Sequence, residues 1–378
     1  MQENNKIWNV KNLLNWATEY FTSRDIPQPR LSAELLLSDV LEMTRMNLYL
    51  NFEKIPGDKE RKKFRDYLIR RISHEPVQYI LGKSSFRNLE LCIDRNVLIP
   101  RPETELLVDS TLHAAFELIL QKSLNPVVKG PTGKGPTDKE PDKDSDKSPD
   151  KSPDKGPDKD PVGSHLPLNL NILEIGTGSG AIALSLITEI ETFFKKQLSL
   201  CRSKGISVPA QIEEGNFSFR LFATDNSEDA LKIAIKNAAG ILSQQEMDKV
   251  KFLKADIIPA GNDFISRARE NIDIVVSNPP YITLAGYAKL PSEVKDFEPE
   301  NALLSGESGT EFYKKIINAV ISQNLLSKKS ARFIFETDPI VCSELVKILQ
   351  EELKPGRVTI EKDYNGLDRV VIAELSSE

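Results

Sequence analysis

The ten residues Asn171 to Gly180, Asn-Ile-Leu-Glu-Ile-Gly-Thr-Gly-Ser-Gly, run straight into the apolar stretch Ala181 to Ile190, and no other part of the chain narrows its fold as far. A short apolar run of this kind suits a strand buried on both faces of a parallel sheet. The glycines then let the backbone turn tightly and start a helix. Such a turn presents backbone N–H groups and allows a ligand to approach closely. Gly176, Gly178 and Ala181 also satisfy the G-x-G-x-x-G/A dinucleotide pattern, so the turn by itself leaves the ligand open. Glu174 shifts the balance, because a carboxylate at the strand end suits a cationic amino-acid group better than a pyrophosphate.

Three further strands are expected to end in polar residues at the same edge. Phe219 to Thr224 leads to Asp225, placed like the acidic residue that grips a ribose hydroxyl pair. Val250 to Lys254 leads to Asp256, an acceptor for an adenine amino group. Ile272 to Ser277 delivers Asn278-Pro279-Pro280-Tyr281. The two prolines cannot donate to a β-ladder and stiffen the loop, which leaves the sheet where open α/β sheets bind ligands. The Asn278 side chain and the Pro279 carbonyl offer two acceptors in a fixed arrangement. Together they can grip the two hydrogens of a planar NH2 group while Tyr281 covers its flat face.

The 378 residues suffice for two domains, and 39% hydrophobic with 28% charged residues describe a globular chain. A net charge of −6 carries no signature of a dedicated nucleic-acid binder. Three scattered cysteines and three histidines lack metal-ligand spacing, so no metal site is expected, and histidine acid–base chemistry is disfavoured. With neither an apolar leader nor a bilayer-length run, the expectation is a cytoplasmic protein, free of membrane and monomeric.

Val10, Leu13, Leu14, Ala17, Tyr20 and Phe21 repeat at helical spacing, as do Leu31, Leu35, Leu36, Val40 and Leu41. Phe64, Tyr67, Leu68 and Ile72 mark a third helix, with Asp58 placed to cap it. The basic cluster Arg61, Lys62, Lys63, Arg65, Arg70 and Arg71 reads as a solvated helix face. A helical domain over 1–83 follows, then a linking β-hairpin over 84–100 built from Phe86 to Cys92 and Val97 to Ile99. The larger domain is expected over 101–378. Ile99 to Glu105 reads first as a turn that starts a helix, and second as a loop over a cofactor. Between 125 and 167 the chain repeats Pro-Asp-Lys units almost without apolar side chains, the composition of a disordered insert. Tyr364-Asn365-Gly366 marks a closing hairpin that adds one antiparallel strand.

Ile-Pro-Arg-Pro-Glu-Thr-Glu (Ile99 to Glu105), Glu-Ile-Gly-Thr-Gly-Ser-Gly (Glu174 to Gly180) and Ser-Asn-Pro-Pro-Tyr-Ile (Ser277 to Ile282), in that order, resemble the peptide chain release factor glutamine N5-methyltransferases. The likeness extends to the helical amino-terminal domain and Phe297-Glu298-Pro299. It departs at the insert, at Lys195 to Gly215, and at Thr337-Asp338, where a glycine-like turn is expected. The resemblance implies a Rossmann-like class I methyltransferase sheet of α/β class and S-adenosylmethionine as cofactor. Glu174, Gly176, Thr177, Gly178, Ser179, Gly180, Asp225, Asp256, Ile257 and Asn278 would hold the cofactor. Asn278, Pro279, Pro280 and Tyr281 would carry the chemistry. The implied partner is a class I release factor, methylated on the glutamine of its Gly-Gly-Gln loop, with no direct contact to nucleic acid. Rival readings are a ribosomal-protein glutamine or an adenine N6 amine as acceptor, a nucleotide-dependent oxidoreductase, and a non-catalytic binding module.

Overall fold

The computed structural model describes residues 7–124, 168–213, 215–259, 271–327 and 330–376. The insert expected over 125–167 lies outside the described residues. Five helices come first: α1 (Val10–Thr22), α2 (Pro29–Val40), α3 (Arg45–Leu50), α4 (Asp58–Ile72) and α5 (Val77–Leu81). Val10, Leu14 and Phe21 of α1 meet Leu36 and Leu37 of α2 and Phe64 and Leu68 of α4 in an apolar cluster that draws only on residues before Gly82. The Asn9 side chain caps α1 by accepting from the Asn12 N–H at 2.9 Å.

Two expectations fail within these helices. The cap of α4 is Gly57, whose N–H donates to Glu60 at 2.5 Å, while Asp58 is already inside the first turn and pairs with Arg61. Arg71 is not on a solvated face but is 3% exposed. Its guanidinium donates to the carbonyls of Glu75 (3.0 Å) and Pro27 (3.3 Å), to the Ser32 hydroxyl (3.3 Å) and to the Glu293 carboxylate (3.1 Å). The helical phase explains this. Arg71 lies three residues after Leu68 and seven after Phe64, on the buried stripe, whereas Lys62, Lys63 and Arg65 point outward.

The linking hairpin is β1 (Lys83–Phe86) and β2 (Leu89–Cys92), antiparallel. Val97 to Ile99 forms no strand. Its alternation reflects two side chains, Val97 and Ile99, sunk into the core from a loop. The N–H of Val97 closes a turn on Asp94, and that of Ile99 donates to the Glu298 carboxylate, so neither is left for a ladder.

Next come α6 (Thr104–Leu124), β3 (Leu168–Ile175), α7 (Ala181–Ser203), α8 (Ala210–Glu213), β4 (Phe217–Asp225), α9 (Glu228–Ile241), α10 (Gln244–Met247), β5 (Val250–Lys254) and β6 (Ile274–Ser277). The chain continues through β7 (Ile282–Thr283), α11 (Leu284–Tyr287), α12 (Ser292–Lys295), β8 (Leu304–Gly306), α13 (Glu311–Ser322), β9 (Ser330–Glu336), α14 (Pro339–Leu353), β10 (Arg357–Lys362) and β11 (Asp368–Ser376). Seven strands form one sheet in the order β5-β4-β3-β6-β9-β11-β10, parallel except for β11. This is the Rossmann-like sheet that the resemblance implies, with the switch point between β3 and β6.

Alternation along the strands feeds two cores. Ile172, Ile274, Val276 and Ile334 pack with Leu107, Ile119, Ile182 and Leu186 of α6 and α7. Leu173, Val275 and Phe333 pack on the opposite face with Tyr313, Ile317, Leu345 and Leu349 of α13 and α14. The turn at Thr337-Asp338 needs no glycine, because Asp338 keeps an extended backbone (φ −80°) and caps α14 by accepting from the Ile340 N–H at 2.8 Å.

Truncating Arg71 to alanine leaves two backbone carbonyls and Glu293 without their donor. The expected loss is about 2–3 kcal/mol of unfolding free energy by urea titration. Lys62→Ala on the same helix should stay within about 0.5 kcal/mol. Equal effects of the two substitutions would return Arg71 to the surface cluster.

Candidate active site

At the carboxyl edge of β3 the chain takes three left-handed steps, at Gly176 (φ 77°), Gly178 (55°) and Gly180 (84°). The N–H groups of Gly176 and Thr177 both donate to the Thr224 carbonyl at 2.9 Å, which pins the turn to the end of β4. A Cβ at Gly176 or Gly178 would project into open space, the space of the cavity above them. Gly180 differs. A Cβ there would press on Leu184 at 3.3 Å and Ala234 at 3.4 Å, so its need is helix packing, and it does not line the cavity.

That cavity encloses about 970 Å³, open solvent at its mouth included. Gly176, Thr177, Gly178, Ser179, Asp225, Asp256, Ile257, Asn278, Pro279 and Pro280 all line it. Among the expected site residues, Glu174, Gly180 and Tyr281 do not. Glu174 lies beneath the glycine turn, fully buried, with one oxygen accepting from the Thr177 hydroxyl at 2.9 Å. Its other oxygen has no partner among the described residues. Burial, with the nearby Asp225 charge, pushes its carboxyl up to about 8, against opposing bonds from the Thr177 hydroxyl and the Ala183 backbone. Asp225 accepts from the Gly178 N–H at 2.8 Å and the Ser227 N–H at 2.9 Å, and burial again raises its pKa. Asp256 is exposed and paired with Lys315 at 2.5 Å.

The Ser277 hydroxyl donates to the Ile175 carbonyl at 2.7 Å, locking the ends of β3 and β6 together just before Asn278. Asn278 Nδ2 donates to the Thr104 hydroxyl oxygen at 3.2 Å, at the first residue of α6. Tyr281 sits in an adjoining recess with Leu98, Arg101, Asn278, Pro279 and Leu303. Burial raises its phenol above the ordinary value. Gly309 makes that seat possible, since a Cβ there would come within 2.7 Å of the Tyr281 carbonyl.

Leu98, Pro100, Arg101 and Thr104 line the cavity, so the loop from Ile99 to Glu105 is a wall over the site and not merely a helix start. It is fastened to the stretch after α12. Arg101 pairs with the buried Glu298 at 2.6 Å, and the Arg95 guanidinium stacks over the Phe297 ring at 4.9 Å. Pro299, Asn301 and Ala302 complete that side. Arg101 and Thr104 stand within the Ile99 to Glu105 motif without being among the expected site residues, and Asn301 carries no signal in the sequence beyond the nearby Pro299.

A carboxyl held near 8 in the folded chain against an ordinary 4.5 binds its proton more tightly folded than unfolded. Its contribution to stability therefore falls as pH rises between those values and is constant above them. Glu174→Gln has no such proton to lose. Its melting temperature relative to the unaltered chain should rise steadily from about pH 5 to about pH 8.5. A difference that stays flat over that range would mean that Glu174 titrates as an ordinary carboxylate.

Comparison with known proteins bears on the same residues. Residues 12–82 match the PrmC N-terminal domain family. The chain is 32% identical over 364 residues to the release factor glutamine methyltransferase of Chlorobaculum tepidum, covering 96% of each chain. It is 28% identical over 368 residues to that of Rhodopirellula baltica, covering 97% of each. To the Bacillus subtilis protein of the same name it is 29% identical over 360 residues, 95% of this chain and 96% of that one. Likeness of this extent, running through the helices, the glycine turn and the Asn-Pro-Pro-Tyr loop alike, makes the chain a member of the release factor glutamine methyltransferase family.

Proposed function

We propose that this protein transfers the methyl group of S-adenosylmethionine to the side-chain amide nitrogen of the glutamine in the Gly-Gly-Gln loop of a class I peptide chain release factor. The observation that carries the reading is the Asn278 amide. Its NH2 end is engaged by Thr104 while the residue lines the cavity, which leaves its oxygen as an acceptor for the substrate.

The cavity also fits the cofactor. The open space over Gly176 and Gly178 admits close approach, and the second oxygen of Glu174 is buried without a partner. Asp225 retains lone pairs beside its two backbone bonds. Gly176 to Ser179 would hold the amino-acid end with Glu174 behind them, Asp225 the ribose, and Asp256 with Ile257 the adenine. The bound cofactor supplies an electrophilic methyl group on a sulfonium.

The protein's part is to make a poor nucleophile reactive. An amide nitrogen delocalises its lone pair into the carbonyl. Asn278 and the Pro279 carbonyl, by accepting both of its hydrogens, hold the NH2 group in place and favour a more pyramidal nitrogen in line with the methyl. The recess beside Tyr281 suits the flat face and stem of the glutamine. No strong base is required, because the nitrogen becomes positively charged and acidic after transfer. The helical unit over 1–83 would recognise the body of the release factor.

Asn278→Ala should lower methylation of purified release factor, followed by mass spectrometry, by about 10²–10³. Titration calorimetry should show its binding of S-adenosylhomocysteine little changed and no binding of NAD. Unchanged turnover in Asn278→Ala would overturn the amide-gripping role. NAD affinity matching that of S-adenosylhomocysteine would overturn the choice of cofactor.

A further inference from the structure

The proposed chemistry requires the oxygen of Asn278, and not its nitrogen, to face the substrate. A carboxamide is nearly symmetric in shape, and its terminal torsion has two broad wells. Thr104 cannot settle the choice unaided, because a hydroxyl both donates and accepts. A third group must claim the hydroxyl proton.

Glu336 is in the right place. In the parallel register of β6 and β9, Ser277 pairs with Phe335, so the next residues, Asn278 and Glu336, leave adjacent strands side by side. Its backbone is fixed on both sides. The Tyr313 hydroxyl donates to the Glu336 carbonyl at 2.8 Å, and the Thr337 N–H donates to the Arg369 carbonyl at 2.8 Å. The side chain is 1% exposed, and neither carboxyl oxygen meets a full hydrogen-bond partner among the described residues. The Thr104 hydroxyl favours its ionised form. Contacts of this kind are often long in an unliganded site and tighten when substrate binds.

Building on the proposed methyl transfer, we propose that Glu336 is a positioning residue that acts through Thr104 to fix the orientation of the Asn278 amide. An ionised carboxylate only accepts. The Thr104 proton turns toward it, the Thr104 lone pair receives the Asn278 N–H, and the Asn278 oxygen is left facing the cavity. A protonated Glu336 can donate to Thr104, which then donates to Asn278, and the amide presents its NH2 to the substrate. The groups around Glu336 set the balance. Arg369 on β11 and Arg101 ahead of α6 favour the ionised form, while burial and Glu103 oppose it and bring the carboxyl up to about 7. The Tyr281 and Tyr313 phenols beside it are raised and stay neutral in that range, and Asp338 adds negative charge nearby.

The test is Glu336→Gln, a substitution of equal shape that replaces the acceptor-only carboxylate by a carboxamide able to donate to Thr104, so the chain of donors is no longer held in one direction. At saturating substrate, kcat should fall by about 10- to 100-fold, with KM and S-adenosylhomocysteine affinity nearly unchanged. The fall in kcat on the acid side, as Glu336 takes up its proton near pH 7, should vanish in the variant. Thr104→Val should lose activity and Thr104→Ser should recover most of it. If Glu336 works only through Asn278, adding Glu336→Gln to Asn278→Ala should cost nothing further. A second loss in that background, or a wild-type kcat with an unchanged acid limb in Glu336→Gln, overturns the positioning role. If Asn278→Ala itself retains full turnover, the failure belongs to the proposed chemistry and not to Glu336.

Discussion

The arrangement of the site depends on the parallel register of four neighbouring strands. Ile175 pairs with Thr224 on one side and Ser277 on the other, and Ser277 pairs in turn with Phe335. The next residues out of the sheet are therefore Gly176, Asp225, Asn278 and Glu336, set in one row at one edge. A slip of a single residue would turn each of them to the opposite face. The register is held at both ends of β6. Ser277 bonds the Ile175 carbonyl at the top, and at the bottom the buried Asp273 accepts from the Asn171 N–H at 2.9 Å and pairs with Lys122 at 2.8 Å. Each proposed role in the row inherits its placement from these bonds.

The row is also electrostatically unusual. Burial raises the carboxyl pKa values of Asp225, which lines the cavity, and of Glu174 and Glu336 behind its wall. Desolvated carboxyls are costly to a fold unless something compensates them. What the chain provides is modest: backbone N–H groups for Asp225, the Thr177 hydroxyl and the Ala183 backbone for Glu174, and the Thr104 hydroxyl with the charges of Arg369 and Arg101 for Glu336. A cationic occupant supplies the rest, and a sulfonium bearing an amino-acid group is such an occupant. The same preference argues against a pyrophosphate, which would add negative charge to a site already rich in it.

Periodicity and turn chemistry made the strands legible, because a glycine turn and an Asn-Pro-Pro loop each carry their own backbone constraint. The order of polar strand ends could be read in the same way, since Asp225 ends its strand, Asn278 follows directly on its own, and Asp256 follows its strand after one intervening residue. What stayed hidden depended on phase and on long-range partners. Arg71 looked like one more cation in a basic run until its position on the stripe of Phe64 and Leu68 placed it inside. Val97 and Ile99 alternate like a strand, yet their backbone is claimed by Asp94 and by Glu298, almost two hundred residues away. Glu336 ends a strand like the others. Only the register shows that it emerges beside Asn278, and only α6 brings Thr104 up to them both.

Arg71 and Arg101 tie the two halves of the chain to one short segment. Arg71 from the helical unit reaches Glu293 at the start of α12, and Arg101 from the loop over the site reaches Glu298 just after it. Between them lies a cleft lined by Pro27, Ser32, Gln78 and Val294, along with both arginines. The stretch carrying Glu293 and Glu298 continues into Pro299, Asn301 and Ala302, which form part of the cavity wall. The helical unit and the loop over the site are in this way fastened to one strap, through two ion pairs set five residues apart.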